Sequence, residues 1–436
     1  MIDTIAAISS PFGEGAIGVL RLSGPQSHAI LEKLFAGKIP AARKLAHGVL
    51  KQDDRILDDV LTTTFAAPKS YTGEDMAEVY CHGGLLVTRR ILDALLAEGA
   101  RLAEPGEFSF RAFSNGKMDL TQAEAVMDVI HAQTDLALRA SQQQLAGRLG
   151  EAMGGLRTSL LQVLAHLEAY IDFPDEDIEP ETGQLFLNRI EAVSRDIEKL
   201  LATADRGRIL REGVRTVIYG EPNVGKSSLL NALSGFDRAI VSPTPGTTRD
   251  VIEESVNLGG IRLILMDTAG IRATDDEIEK QGVERSRKAH DTADLVIEVH
   301  AAPLPPPAGE VSANTLLVAN KADLDIHPDW HDRAVLVSCL QQTGFDALEA
   351  AVLQKVLGGG AHLENASVAI NARHKDCLQR ARAGCLAAME GLRENIAIEL
   401  ISIELHIALN AVGEVMGKVE SDDILGEIFS TFCIGK

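Results

Sequence analysis

The residues with the clearest chemistry in this sequence form a glycine-rich stretch, GEPNVGKS, which runs from Gly220 to Ser227. Its spacing, G-x-x-x-x-G-K-S, is typical of a loop whose backbone N–H groups surround a phosphate. The ammonium group of Lys226 can reach phosphate oxygens, and the hydroxyl of Ser227 can bind Mg²⁺ at a helix N-terminus. An apolar strand pattern precedes the stretch and a helix pattern follows it, so the context favours this interpretation over a simple glycine-rich turn.

Further motifs follow in the order expected of a domain that binds a guanine nucleotide. In DTAG, Asp267 ends an apolar strand pattern, where its carboxylate can hold a magnesium-bound water. In NKAD, the carboxylate of Asp323 can accept hydrogen bonds from the N1–H and amino groups of guanine, whereas adenine would leave it unpaired. The sequence therefore predicts a Ras-like P-loop domain that hydrolyses GTP, and an ATPase is the weaker alternative. The predicted nucleotide-binding residues are Asn223, Val224, Gly225, Lys226, Ser227, Ser228, Ser242, Pro243, Thr244, Pro245, Gly246, Thr247, Thr248, Asp267, Thr268, Ala269, Gly270, Asn320, Lys321, Asp323, Ser338, Cys339 and Leu340.

The residue that would orient the attacking water is missing from its usual position. Ras-like enzymes have a glutamine soon after DTAG, but this sequence has Ile271 there. Glu277 and Glu279, in the acidic loop ATDDEIEKQG, are candidates for that role, and a solvated surface loop is an equally good interpretation of them. A bound cation in place of an arginine finger is a further candidate. Oxygen atoms that suit a monovalent cation belong to Asn223, Ser242, Thr244 and Thr247, and the expected Mg²⁺ ligands are Ser227 and Thr248.

Residues 1–116 alternate short strand and helix patterns, which predicts an α+β domain. The glycines Gly13, Gly15 and Gly18 match G-x-G-x-x-G, but a second strand pattern follows them where a dinucleotide-binding loop would need a helix. We therefore reject a dinucleotide site. Polar residues in the turns, with Arg21 among them, indicate a ligand pocket, although turn chemistry alone would also explain several of them.

Long helix patterns occupy residues 117–211 and 361–436, on both sides of the predicted GTPase domain at 212–360. The first of these patterns is continuous over residues 120–149. Because each helix has an apolar face that must be buried, we expect one helical domain built from both segments, with the GTPase domain inserted between them. A basic run before the P-loop is a candidate anion-binding stretch, with a solvated linker as the favoured alternative. Its arginines are Arg206, Arg208, Arg211 and Arg215.

Composition restricts the class of protein further. The 436 residues carry a net charge of −21, which argues against a protein that coats nucleic acid by itself, since such proteins are basic. Five scattered cysteines without a CxxC pair suit a reducing cytosol. The apolar segment 396–412 contains Glu399, Glu404 and His406, so it is interpreted as an amphipathic helix and not as a membrane span. The first residues lack the positive charges of a signal peptide.

Several longer motifs together resemble the MnmE family, also called TrmE, over nearly the whole chain. They are YTGED, HGG, PGEF-x-x-RAF-x-NGK-x-DL, IDFPDE at 171–176, GTTRD, DDILG at 422–426 and the final CIGK. The resemblance implies a cytoplasmic, potassium-activated GTPase that modifies the wobble uridine of tRNA and does not enter a membrane. It also implies an N-terminal domain that forms a homodimer and binds 5-formyl- or 5,10-methylene-tetrahydrofolate as a one-carbon donor.

The same resemblance assigns roles to individual residues. The implied folate-binding positions are Arg21, Glu78, Lys117 and Lys436, the acid that orients water is Glu279, and the magnesium and potassium ligands are those given above. The implied partner is MnmG, an FAD protein. In a heterotetramer the two would add an aminomethyl or carboxymethylaminomethyl group to C5 of the uridine. One departure is the base-closing loop, which reads SCL at 338–340 where the family has Ser-Ala.

Cys433, in the final CIGK, has three interpretations. A prenylation site is rejected because Gly435 and Lys436 do not fit the usual preferences and an acidic segment precedes the cysteine. A structural cysteine would normally be buried inside a helix or strand. We therefore expect the last residues to fold back onto the folate pocket, where a nearby cation would raise the thiolate fraction. Cys433 would then serve tRNA modification as a nucleophile or proton carrier.

Two other classes of protein are alternatives for the whole chain. A ribosome-assembly or signalling GTPase would bind RNA or protein without covalent chemistry. Such relatives would carry a second P-loop or an appended basic module, and the sequence has neither. A membrane-anchored GTPase is the third class.

Overall fold

The computed structural model describes residues 3–172, 182–236, 254–266, 292–309, 311–358, 369–418 and 422–436. The chain divides into two compact units. The first contains Met1–Met127 and Val412–Lys436, and the second contains Asp128–Ala411. The first and last segments of the sequence therefore belong to one unit.

A seven-stranded sheet is the centre of the first unit. Its strands are β1 Ile5–Ile8, β2 Gly15–Ser23, β3 Phe35–Ala36, β4 Ala46–Gln52, β5 Arg55–Phe65, β6 Met76–Gly83 and β7 Arg101–Leu102. They lie in the order β3-β4-β5-β6-β2-β1-β7, and all neighbours are antiparallel except β1 and β7. Alternation along β2 buries Leu20 and Leu22 on one face, so that Arg21 lies on the other.

Two helices, Ser27–Leu34 and Leu85–Ala97, complete the core of this sheet. Their buried residues Ile30 and Ile91 join the same apolar cluster as Leu20 of β2. Helical spacing explains why one face of each helix is apolar. The opposite face of the sheet carries a second apolar cluster, which includes Ala7 and Phe108, beside the polar residues of β2 and β6.

A helix from the end of the sequence, Asp422–Ser430, packs beside the helix Glu107–Ser114 of the same unit. Phe429 is 4% exposed, and its ring centroid lies 5.4 Å from that of Phe110 and 5.2 Å from that of Phe432. Pairs of aromatic rings at these separations stabilise packing beyond the burial of their area. This contact fixes the last residues of the sequence on the N-terminal domain.

A six-stranded sheet forms the centre of the nucleotide-binding part of the second unit. Its strands are β8 Val214–Tyr219, β9 Glu254–Leu258, β10 Ile261–Leu265, β11 Leu295–Ala301, β12 Thr315–Asn320 and β13 Val335–Leu336. Their order is β13-β12-β11-β8-β10-β9, and all neighbours are parallel except β9 and β10. The helices Lys226–Phe236 and Phe345–Leu357 supply Leu229 and Leu348 to the core of this sheet. The carboxyl ends of β8, β11 and β12 therefore meet at one edge.

The remaining helices come from both sides of the nucleotide-binding part. They are Leu120–His131, Asp135–Leu145, Arg148–Asp172, Thr182–Leu201, Ala204–Glu212, Ala372–Arg393 and Ile398–Val415. Thr182–Leu201 packs against Ala372–Arg393, and Arg382 donates to Glu198 across that contact at 2.9 Å. The predicted architecture is therefore confirmed: an N-terminal α+β domain, helices from two chain segments, and a P-loop GTPase fold inserted between them. The domain boundaries at residues 116, 211 and 360 stay predictions.

The continuous helix predicted over residues 120–149 is interrupted. It forms the separate helices Leu120–His131 and Asp135–Leu145. Thr134 has an extended backbone, and its hydroxyl accepts a hydrogen bond from the N–H of Ala137 at 3.2 Å. This cap satisfies an N–H that an unbroken helix would bond to a carbonyl, so it begins a new helix. Within the described residues, none of the helices combines the length and apolar character needed to cross a bilayer.

The predicted anion-binding run binds groups of its own unit. Arg211 donates to the carboxylate of Asp128 at 2.9 Å, and Arg206 donates to the carbonyl of Leu357 at 3.1 Å. These residues belong to the helix Ala204–Glu212 and are not a solvated linker. The contacts tie the segment before the P-loop to its surroundings.

Asp294, just before β11, binds the other two arginines of that run. Its carboxylate accepts hydrogen bonds from the guanidinium groups of Arg208 at 3.1 Å and Arg215 at 3.0 Å, and from the backbone N–H of Arg215 at 3.0 Å. Burial alone would raise the pKa of Asp294, but these bonds lower it from 3.8 to about 2. The cluster therefore favours the folded state whenever Asp294 is ionised.

We expect Asp294→Asn to lower the free energy of unfolding at pH 7 by on the order of 1 kcal/mol, because the half-buried Arg208 and the exposed Arg215 lose a charged partner. A lowered pKa stabilises the folded state above pH 3.8, and this contribution disappears as the pH falls to about 2. The urea denaturation curves of the wild type and the variant should therefore converge toward low pH. The fluorescence of Trp330, the single tryptophan of the chain, reports unfolding of this unit. Asp332→Asn, an exposed site with the same charge change, is the control, and an equal loss there would contradict the assignment.

Candidate functional site

The loop after β8 has a backbone that tolerates no side chain at two of its glycines. Gly220 has a φ of +152°, and a Cβ there would lie 2.2 Å from the carbonyl oxygen of Val299. Gly225 has a φ of +99°, and a Cβ there would lie 2.2 Å from Nδ2 of Asn320. Val224, between them, is buried in the core of the sheet. The sequence therefore forms a tight loop whose N–H groups can approach a phosphate closely.

Lys226 provides the positive charge of this loop. It begins the helix Lys226–Phe236, and its ammonium group donates to the carbonyls of Gly220 at 2.8 Å and Glu221 at 2.7 Å. Burial lowers the pKa of Lys226. The exposed Ser227 follows on the first turn of the helix. A hydroxyl beside a lysine at a helix N-terminus suits Mg²⁺ that is shared with phosphate oxygens.

The NKAD segment after β12 is bonded directly to the phosphate-binding loop. Asn320, which is 3% exposed, donates from Nδ2 to the carbonyl of Val224 at 3.0 Å. Lys321 donates from Nζ to the carbonyl of Asn223 at 2.8 Å, and Asn223 has a left-handed backbone with a φ of +65°. The base-binding and phosphate-binding halves of the site are therefore held at a fixed separation.

Asp323 is oriented by the loop that follows β13. The buried hydroxyl of Ser338 donates to Oδ1 of Asp323 at 2.5 Å, and the N–H of Cys339 donates to Oδ1 of Asn320 at 3.2 Å. A carboxylate has room for about four hydrogen bonds, so Asp323 can still accept two from a guanine. Burial, and next the charge of Asp323, raise the pKa of the Cys339 thiol. Leu340 is 84% exposed at the tip of this loop.

The structure thus brings together the P-loop and the guanine-binding residues that the sequence predicted. The residues predicted to form the switch segments and to orient the attacking water lie outside the described residues. They are Ser242, Pro243, Thr244, Pro245, Gly246, Thr247, Thr248, Asp267, Thr268, Ala269, Gly270 and Glu279, together with the alternative Glu277. The assignments of Thr248 to Mg²⁺ and of three residues to K⁺ stay predictions for that reason. Among the described residues, no group of three or more His, Cys, Asp or Glu side chains could hold a metal ion.

A second polar cluster lies on the sheet of the first unit. The strand register puts Arg21 of β2 opposite Glu78 of β6, and Nε of Arg21 lies 2.8 Å from Oε1 of Glu78. The hydroxyl of Tyr80 donates to the other oxygen of Glu78. Burial, and next the hydrogen bond to Glu78, raise the pKa of Tyr80 to about 12. The Arg21 guanidinium lies 5.8 Å from the centre of the Tyr71 ring.

The last residues of the sequence approach this cluster. Burial lowers the pKa of Lys436, and the neighbouring charge of Arg21 lowers it further, while Cys433 acts in the opposite direction. Cys433 is exposed, whereas the other four cysteines are buried or half-buried. The backbone N–H of Lys436 donates to the carbonyl of Cys433 at 3.2 Å, and Lys436 is close enough to Arg21 to be affected by its charge.

Lys117, the fourth predicted folate-binding residue, makes its contacts elsewhere in the unit. Its ammonium group donates to the carbonyl of Pro68 at 3.1 Å, and its stem passes beside Gly73. No folate-binding role was predicted for Tyr71, the first residue of the YTGED motif, or for Tyr80. Tyr80 could have been found, because residues two apart on a strand share a face and Glu78 was already predicted.

We expect Asp323→Asn to weaken GTP binding by about 100-fold, because the hydrogen bond from the guanine amino group is lost and the bond from N1–H no longer has a charged acceptor. The side-chain amide of the new asparagine can donate a hydrogen bond to xanthine, which has a carbonyl group where guanine has its amino group. Binding of xanthosine triphosphate should therefore improve. Isothermal titration calorimetry with both nucleotides measures the change. Asp325→Asn, an exposed residue two positions away, is the control, and unchanged GTP affinity in Asp323→Asn would disprove the role of Asp323.

Comparison with known proteins gives one consistent family. Residues 120–433 match the model of the MnmE helical domain, and residues 4–117 match that of the GTP-binding protein TrmE N-terminus. A tRNA modification GTPase MnmE from Akkermansia muciniphila is 48% identical over 99% of both chains. Proteins of the same name from Chloroflexus aurantiacus and Geobacillus thermodenitrificans are 44% and 43% identical, over 100% of this chain and 100% and 99% of theirs. The chain therefore belongs to the MnmE family of tRNA modification GTPases.

Proposed function

We propose that this protein is a potassium-activated GTPase that adds an aminomethyl or carboxymethylaminomethyl group to C5 of the wobble uridine of tRNA. It would act in the cytoplasm as a homodimer, in a heterotetramer with the FAD-containing partner MnmG, and would draw its carbon from a tetrahydrofolate. The GTPase activity in this proposal rests on one observation. Asn320 and Lys321 donate hydrogen bonds to the P-loop, and Ser338 orients Asp323. Family membership supports the tRNA part.

The P-loop residues supply most of what phosphoryl transfer requires. The loop N–H groups and Lys226 would hold the β- and γ-phosphates, and Ser227 with Thr248 would hold Mg²⁺. Bound Mg²⁺ and K⁺ would neutralise charge that develops on the phosphates. Asn223 supports the potassium assignment, because its left-handed backbone is fixed through its carbonyl to Lys321 beside the phosphate-binding loop. The other proposed ligands are Ser242, Thr244 and Thr247.

Glu279 is proposed to orient the attacking water, because Ile271 cannot. We expect GTP hydrolysis to be faster in K⁺ than in Na⁺ by at least about tenfold, a small part of the 10³–10⁵ that an arginine finger can contribute. Glu279→Ala should lower kcat in K⁺ by about 100-fold, with little change in KM for GTP, since the residue would act in the transition state. Steady-state phosphate release in the two salts measures both effects.

Glu277→Ala is the matched control for this experiment and should retain most of the activity. Equal rates in K⁺ and Na⁺ would remove the potassium assignment. A raised KM with an unchanged kcat in Glu279→Ala would remove the water-orienting role and leave the loop a structural part of the nucleotide site.

The cluster around Arg21 suits the binding of a folate. Arg21 and Lys436 are cations for the glutamyl carboxylates, and Tyr71 offers an aromatic ring for contact with a conjugated ring. Glu78 is 8% exposed and retains lone pairs after bonding Arg21 and Tyr80. Lys117 is proposed to bind the same ligand. A bound folate would supply the one-carbon unit.

The exposure of Cys433 supports its role in modification, because the thiol is accessible while Lys436 next to it is half-buried. Cys433 would act as a nucleophile or proton carrier and would have no part in GTP hydrolysis. The net charge of −21 makes a partner such as MnmG important for holding tRNA, since the acidic chain repels it.

We expect Cys433→Ser to abolish the modified wobble nucleoside, because a serine hydroxyl is far less acidic and less nucleophilic than a thiol. Mass spectrometry of nucleosides from cells that carry only the variant measures the modification. Potassium-stimulated GTP hydrolysis of the purified variant should stay at the wild-type rate. Thr431→Ala, an exposed position on the same segment, is the control. Wild-type modification by Cys433→Ser would disprove the role of the thiol.

A further inference from the structure

The last four residues, Cys433–Lys436, are here called the CIGK segment, and polar contacts fix it to the first unit. The hydroxyl of Ser9 donates to the carbonyl of Gly435 at 3.0 Å. The backbone N–H of Gly106 donates to the carbonyl of Cys433 at 3.4 Å, and Ile434 forms an antiparallel bridge with Pro105. The residues on both sides of the thiol are therefore anchored by their backbone, while the thiol itself is exposed.

Gly435 can occupy its position only because it has no side chain. The residue is buried and has a φ of +93°. A Cβ there would lie 2.4 Å from the carbonyl oxygen of Ile8 and 3.0 Å from Cα of Ser9. Because both neighbours are backbone atoms next to the sheet, they cannot move aside as a flexible side chain would. The CIGK segment therefore lies in direct contact with the end of β1.

The position of Ser9 is itself fixed. Its N–H donates to the carbonyl of Val19 in β2 at 2.7 Å, directly after the pairing of Ile8 with Leu20. The same register puts Ala7 opposite Arg21. Ser9 thus connects the CIGK segment to the strand that carries Arg21.

Gly106, the second anchor, is also fixed by packing. Its φ is +67°, and a Cβ there would lie 2.6 Å from the carbonyl of Phe429. Phe432, the residue before Cys433, is 6% exposed and packs on Phe429. The backbone on either side of the thiol is therefore constrained within the first unit.

We propose that Ser9 and Gly435 are positioning residues that hold the backbone of Cys433 against β1, next to the strand of Arg21, and so position its thiol for the modification reaction. This inference rests on the proposed role of Cys433. Ser9 donates the hydrogen bond to the carbonyl of Gly435, and the missing side chain of Gly435 allows the segment to come close enough for that bond.

The test compares exchange and modification in full-length variants. Ser9→Ala removes one hydrogen bond, so amide hydrogen exchange in peptides that cover residues 104–110 and 431–436 should accelerate by about 3- to 10-fold. The appearance of modified nucleoside should slow by a similar factor in cells that carry only this variant. Ser9→Thr keeps the hydroxyl and should restore both values. Exchange elsewhere should be unchanged, which would establish that the variants fold.

Gly435→Ala tests the steric part of the inference. The added methyl group must displace the CIGK segment, and a displacement of about 1 Å at a reacting group can cost about 100-fold in rate. We expect a loss of modification of that size, with GTP hydrolysis unchanged. Gly426→Ala is the matched control, because a Cβ at Gly426 would meet no atom within 4 Å, and it should modify tRNA at the wild-type rate.

The outcomes separate this inference from the proposed function. Loss of modification in Cys433→Ser, together with wild-type modification in Ser9→Ala and Gly435→Ala, would overturn the inference and leave the role of the thiol intact. Wild-type modification in Cys433→Ser would overturn the role of the thiol itself. If Ser9→Thr loses as much modification as Ser9→Ala, the inference would also be overturned. The hydrogen bond from the hydroxyl would then not be what positions the CIGK segment.

Discussion

Burial of Phe429 and Phe432 against the helix Glu107–Ser114 is the contact on which the proposed modification site depends. Each buried phenylalanine contributes about 1.5–3 kcal/mol of hydrophobic free energy, more than any single hydrogen bond of the CIGK segment. Ser9 and Gly435 are 426 positions apart, but the entropic cost of closing a loop grows only slowly with its length. A whole GTPase domain and its helices can therefore separate, in the sequence, two segments that form one site.

The nucleotide site depends on a different constraint, which is close approach of backbone. Gly220 and Gly225 leave no room for a side chain, and the nearest obstacle to the second is Nδ2 of Asn320 itself. The same amide nitrogen is bonded to the carbonyl of Val224. The guanine-binding and phosphate-binding segments therefore pack directly against each other, which would reduce the ordering that nucleotide binding requires in this part of the site.

Charge is distributed unevenly over the molecule. The chain is strongly acidic, and three of the four arginines before the P-loop are paired with Asp294 or Asp128. Near the CIGK segment, Arg21 is paired with Glu78, and its charge adds to burial in lowering the pKa of Lys436. An anionic ligand such as the proposed folate would relieve the repulsion between the two cations.

The sequence by itself determined the chemistry of the P-loop and of NKAD. Each of these motifs is the turn that follows a single strand, so the spacing of its residues fixes which groups can meet a nucleotide. The sequence also determined the order of the domains through helix and strand periodicity. Only the tertiary structure decided that Tyr80 hydrogen-bonds Glu78, that Thr134 begins a separate helix, and that Lys117 hydrogen-bonds the carbonyl of Pro68. It alone joined Ser9 to Gly435 and Asp294 to the arginines. Such contacts arise from packing between distant segments, and a local pattern carries no information about which distant residue will face it.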